Sequence, residues 1–240
     1  MQFFLRYYSM KKIYRIAIIL LLSQNLFAQR YNVPLNLPNY DNKPIHFGFL
    51  IGLNTLDFKL TTISRIEDEL FVIQSQNQKG FNLGVVSNLR LGNNLDLRFI
   101  PTLSLAERRI FYILNADNIL TNENKKIEST FIEFPVSIKY KSSRYNNGRA
   151  YIMTGFKYSL DLASQRNIDD EGLEIVKIKK DDFLYEIGLG LDFYLPYFKF
   201  SPEIKANFGL TNLVVNDDSI YSRSLKGMKT RAFTISFTFE

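Results

Sequence analysis

The segment Phe233-Thr234-Ile235-Ser236-Phe237-Thr238-Phe239 decides how the rest of the chain is read. Large apolar side chains alternate with small hydroxylated ones at a period of two, which gives a β-strand one apolar face and one polar face. The same alternation recurs upstream in Ile45–Leu60, Phe81–Leu91, Leu95–Ala106, Glu128–Tyr140, Ala150–Asp161, Phe183–Phe193 and Phe198–Leu210. With the final segment this predicts eight strands and an all-β chain. Pro101, Pro135 and Pro202 fall inside these runs, and each removes a ladder donor. Bulges or one-residue slips are therefore expected around them.

The connections carry separate information. Gly92-Asn93-Asn94, Lys141–Arg149 and Leu195-Pro196-Tyr197 are short or turn-like, whereas Thr61–Gly80, Asn115–Lys126, Ala163–Asp181 and Thr211–Met228 are longer and polar. Long and short alternate strictly. An up-and-down barrel in an outer membrane has this asymmetry, with short periplasmic turns and long external loops. An even strand count returns both termini to the periplasmic side.

Alternation alone also suits a soluble barrel with its apolar face inward. Three features favour the inverted arrangement. Gly48, Gly52, Gly84, Gly155, Gly188, Gly190 and Gly209 lie on the polar face, where a narrow eight-strand interior needs small residues. That face also mixes both charge signs, as a buried polar network requires: Arg90, Asp96, Arg98, Glu133, Lys139, Lys157, Glu186, Asp192, Glu203 and Lys205. The opposite face is nearly continuous Phe, Leu, Ile, Val and Tyr, and a charge there at the bilayer midplane would cost about 2–4 kcal/mol. The expectation is an eight-stranded antiparallel up-and-down transmembrane β-barrel over residues 45–240, its exterior against outer-membrane lipid. Eight strands enclose only enough room for side chains, so the polar lumen should be filled, with no diffusion pore.

The composition fits export. The chain has 240 residues, no Cys, no Trp and a single His. Its net charge of +6 belongs largely to residues 1–28, which carry Arg6, Lys11, Lys12 and Arg15 and no acid. Nucleic acid binding thus loses its main electrostatic support. Lys11-Lys12, the apolar run Ile16–Leu22 and Leu26-Phe27-Ala28 read as a signal peptide cleaved after Ala28. The pattern starts most naturally at Met10, with residues 1–9 as an upstream extension. The run is too short for a spanning helix, which needs about 20 apolar residues.

Catalytic chemistry finds little material. His46 stands at the start of the first strand with no nucleophile elbow near it, and reads as a polar lumen or rim residue. No catalytic residue, metal ligand set, cofactor or small-molecule substrate is predicted. Asp169-Asp170-Glu171 and Asp217-Asp218 read as solvated loop tips.

Residues 29–44 form an N-terminal extension rich in Pro and Asn, expected on the periplasmic side. They suit a tether, a lumen plug or a docking peptide as well as an unstructured leader. Asn36-Leu37-Pro38-Asn39-Tyr40-Asp41, then Lys43-Pro44-Ile45-His46-Phe47-Gly48-Phe49, Gly52-Leu53-Asn54 and Asp57-Phe58, resemble the start of the PorT/SprT proteins. That resemblance implies a non-enzymatic outer-membrane barrel of the type IX secretion system, which exports cargo and serves gliding motility. It implies contacts with other secretion components, for which Leu37, Pro38, Asn39, Tyr40 and Asp41 are the candidates. The alternative is a general adhesion or integrity barrel that binds ligands through its external loops.

Overall fold

A computed structural model describes residues 34–62, 70–116, 119–162, 178–215 and 225–240. The leader up to residue 33 and the acidic tips at 169–171 and 217–218 lie outside the described residues. Ten strand segments follow one another: β1 (Ile45–Thr62), β2 (Leu70–Gln76), β3 (Gln78–Arg90), β4 (Leu95–Phe99), β5 (Thr102–Ala116), β6 (Ile119–Lys141), β7 (Gly148–Asp161), β8 (Asp181–Tyr194), β9 (Lys199–Gly209) and β10 (Leu225–Phe239). Only Asn77 separates β2 from β3, and only Ile100-Pro101 separates β4 from β5. The segments therefore make eight staves.

Every pairing is antiparallel between neighbours in sequence, and β1 pairs with both β3 and β10. Through the β1–β3 and β1–β10 ladders the sheet closes on itself, which a membrane-embedded sheet requires because hydrocarbon offers its backbone no partner. The seam between β1 and β10 runs from Phe49↔Phe239 to Thr62↔Leu225.

The alternation seen in the sequence is physical. Along β8, Leu184, Glu186, Gly188, Gly190 and Asp192 are buried while Phe183, Ile187, Leu189 and Leu191 face outward. The same holds round the ring, so the apolar side chains form the outer wall and the charged ones fill the middle.

The prolines do not shift the register. Phe99↔Val136 and Thr102↔Glu133 keep one alignment across Pro101, β6 and β7 stay aligned through Pro135, and β9 and β10 through Pro202. The ladder between β8 and β9 opens at Pro202, between Gly190↔Glu203 and Phe193↔Phe200, then resumes unshifted. Losing a donor interrupts the hydrogen bonds without adding a residue, so no side chain changes face.

Two of the expected loops are largely strand and a third is strand at its end. Asn115–Lys126 belongs to the β5–β6 hairpin, paired from Arg109↔Lys126 to Ala116↔Ile119. Thr211–Met228 gives way to β10 from Leu225, and Thr61–Gly80 contains β2 and the start of β3. A membrane crossing uses about 9–11 residues, and β6 has 23. Beyond the hydrocarbon layer neither face has to be apolar, so the period-two signal fades from the sequence while backbone pairing continues.

Candidate functional site: a charged lumen and its stopper

Of the residues expected in the lumen network, Asp96, Arg98, Glu133, Lys139, Lys157, Glu186, Asp192, Glu203 and Lys205 are buried. Arg98 is fully enclosed and reaches from β4 to Glu203 on β9 at 2.5 Å, with Glu240 at 3.3 Å. Lys205 shares Glu203 at 2.8 Å. Lys139 holds Asp192 at 2.8 Å, and Lys157 holds Glu133 at 2.9 Å with Glu186 at 3.8 Å. Each partner is removed from water, so the pairing offsets a large desolvation cost.

Arg90 differs from that expectation. It is the last residue of β3 and lies half-buried at the rim, where Nε donates to the Gly92 carbonyl, Nη2 to Asn93 Oδ1 at 2.7 Å and Nη1 to the Asp41 carbonyl. A side chain this close to a turn finds backbone acceptors there before it reaches the lumen.

The network has members beyond those named from sequence. Lys141 binds Asp96 at 2.6 Å, and Lys199 binds Glu240 at 3.0 Å. Tyr151 donates to Glu203 at 2.7 Å, and Lys139 Nζ lies 3.5 Å from the centre of its ring. Gly190 makes that ring position possible: a Cβ there would come within 2.4 Å of the Tyr151 phenol. Extending the alternation past the expected strand ends would have identified Lys141 and Glu240, and Tyr151 shares the parity of Gly155 and Lys157 within its expected strand.

The end of the barrel with the short turns is closed by the chain leading into β1. Tyr40–Asn42 forms one 3-10 turn. The Tyr40 ring stacks on His46 with centroids 3.9 Å apart and planes 8° from parallel. Its hydroxyl donates to Glu240 at 3.2 Å. Burial raises the Tyr40 phenol above its ordinary pKa, against the pull of Lys199, so it stays a neutral donor. Asp41 pairs with Arg149 and accepts from the Tyr194 hydroxyl at 3.0 Å. Asn36 ties the segment to two turns, through its N–H to Asn147 Oδ1 and its side-chain amide to the Tyr194 carbonyl, both at 2.9 Å. Leu37 adopts a left-handed backbone (φ 48°) and is half-buried, whereas Pro38 and Asn39 point into solvent.

Two interior hollows lie within this packing, of about 10 and 20 Å³, each roughly the room of a single water. Among the described residues no group of three metal-ligating side chains converges. The arrangement fills the lumen among the described residues with paired side chains. Its charges are committed to one another, and His46 is covered by Tyr40.

A closed antiparallel barrel, apolar outside and ion-paired inside, is an integral outer-membrane protein. The chain belongs to the family of the outer membrane protein beta-barrel domain, whose model matches residues 27–215. No curated protein matches it. Similar solved structures include the outer membrane protein OprG from Pseudomonas aeruginosa, with 13% identity, TM-score 0.46 and coverage of 80% of this chain and 94% of that one. Neisserial surface protein A (NspA) shows 10% identity, TM-score 0.38 and coverage of 79% and 95%. Ail of Yersinia pestis, in complex with a heparin analogue, shows 14% identity, TM-score 0.36 and coverage of 80% and 96%.

Proposed function

We propose that this outer-membrane barrel supports protein secretion by the type IX system, through contacts with other secretion components and without catalysis of its own. In this reading the short-turn end, with both termini, faces the periplasm, and the stoppered mouth is the docking face. The observation that carries it is the fixed placement of residues 36–42: Tyr40 and Asp41 are spent on closing the mouth, while Pro38 and Asn39 are presented outward on a clamped backbone. A clamped, outward-facing loop costs a partner little ordering entropy on binding. The resemblance of residues 36–58 to the PorT/SprT proteins names the system.

The test replaces Pro38 and Asn39 together with Ser, leaving Tyr40 and Asp41 in place. Export of type IX cargo should fall while the protein remains a folded, heat-modifiable band in outer-membrane fractions. Normal export with that band intact would remove the docking role.

A further inference from the structure

The outward wall is not evenly bulky. Thr154, Ile187 and Ala206 stand side by side on β7, β8 and β9, in one ladder row between Ile138 on β6 and Phe233 on β10. Two short side chains thus occupy positions that neighbouring rows fill with large ones. The result is a hollow of about 540 Å³ in the barrel's outer surface, the size of a small-molecule site.

Its polar content is small and internally satisfied. The Thr154 hydroxyl donates to the Tyr185 phenol oxygen at 2.8 Å and lies 3.3 Å from the Glu186 carbonyl. Hydroxyls paired with each other can lie against hydrocarbon at low cost, which removes the need for a polar ligand. The hollow is also directional. Tyr185 is the one lining residue from the row toward the long-loop end, whereas Tyr140, Ile152, Leu189 and Ile204 line it from the row toward the short-turn end.

We infer that this hollow is a binding site for one acyl chain of a phospholipid in the leaflet on the short-turn side. That wall of an outer-membrane barrel is continuous with the lipid interface, so hydrocarbon is the material that reaches it. The extension of its lining along Tyr140 and Leu189 selects the leaflet, which is the periplasmic one in the orientation proposed above. A chain lying in the hollow gains contacts along its sides that the convex remainder of the wall does not offer.

The test uses the full chain folded into phosphatidylethanolamine and phosphatidylglycerol vesicles, doped with a phosphatidylethanolamine carrying a diazirine in one acyl chain. After photolysis, label is mapped by peptide mass. Label should concentrate several-fold on peptides from β7–β9 over those from β1 and β3. Ala206→Phe should abolish the excess, and Val85→Phe on the opposite wall should leave it unchanged. Ala206→Leu serves the same purpose if the phenylalanine variant does not fold. Even labelling round the barrel, or an excess indifferent to filling the hollow, would overturn the site. Stronger labelling by a lipid A bearing the same diazirine would overturn the leaflet.

Discussion

Arg98 and Glu203 face each other from opposite sides of the ring, 105 residues apart in the chain, at 2.5 Å. Their staves are separated by four steps in either direction, so the pair braces the lumen across its width. Removing one partner leaves a buried charge, which costs about 3–5 kcal/mol, whereas replacing both with apolar residues is often neutral. Glu203→Ala should therefore lower unfolding stability in urea by about 3–5 kcal/mol, and Arg98→Met with Glu203→Leu should recover only part of that loss, because Lys205 and Tyr151 lose Glu203 in both variants. Equal losses in single and double variants would show that the brace is not an energetic unit.

Gly190 faces the Tyr151 phenol and the Pro202 carbonyl so closely that a methyl group would lie 2.4 Å and 2.9 Å from them. The ring is held by Glu203 and covered by Lys139, so it cannot swing aside without breaking both contacts. Gly190→Ala should destabilise the barrel by about 1–3 kcal/mol, as overpacking does. Gly92, whose Cβ would meet open space, is the control and should tolerate Ala.

The stopper depends on Asp41. Asp41→Ala takes away the acceptor of Arg149 and of the Tyr194 hydroxyl. Hydrogen bonds to charged groups contribute about 1.5–3 kcal/mol each, so amide exchange in residues 39–43 should accelerate by roughly tenfold or more while strand amides stay protected. Unchanged exchange would mean that Asn36, Tyr40 and the Arg90 bond to the Asp41 carbonyl suffice to hold the segment.

Burial pushes the Glu240 carboxyl up, but Lys199 and Arg98 beside it bring it below its ordinary value. A depressed folded-state pKa adds stability that is present above the unfolded value of about 4.3 and disappears as pH falls through the lower folded value. Unfolding stability should drop below about pH 4.3, and Glu240→Gln should flatten that acid limb. An identical acid limb in the variant would assign it to other carboxylates.

The sequence makes the inside and outside of this protein legible because a bilayer enforces alternation wherever the wall crosses it. Pro101, Pro135 and Pro202 blur strand assignment but leave side-chain parity untouched. The β5–β6 hairpin is illegible for the opposite reason: it outruns the hydrocarbon, so nothing constrains its pattern. Tyr40 over His46 and Asp41 beside Arg149 needed the three-dimensional mouth, since their spacing in the chain follows no period.

The seam joining β1 to β10 has a consequence for biogenesis. Its two sides are the first and last of the described strands, and no other strand pairing among the described residues joins positions so far apart in the chain. Non-local pairing of that kind is slow to form. Until it forms, the sheet has two raw borders open to pairing with other chains, and closure of the cylinder is what removes that hazard.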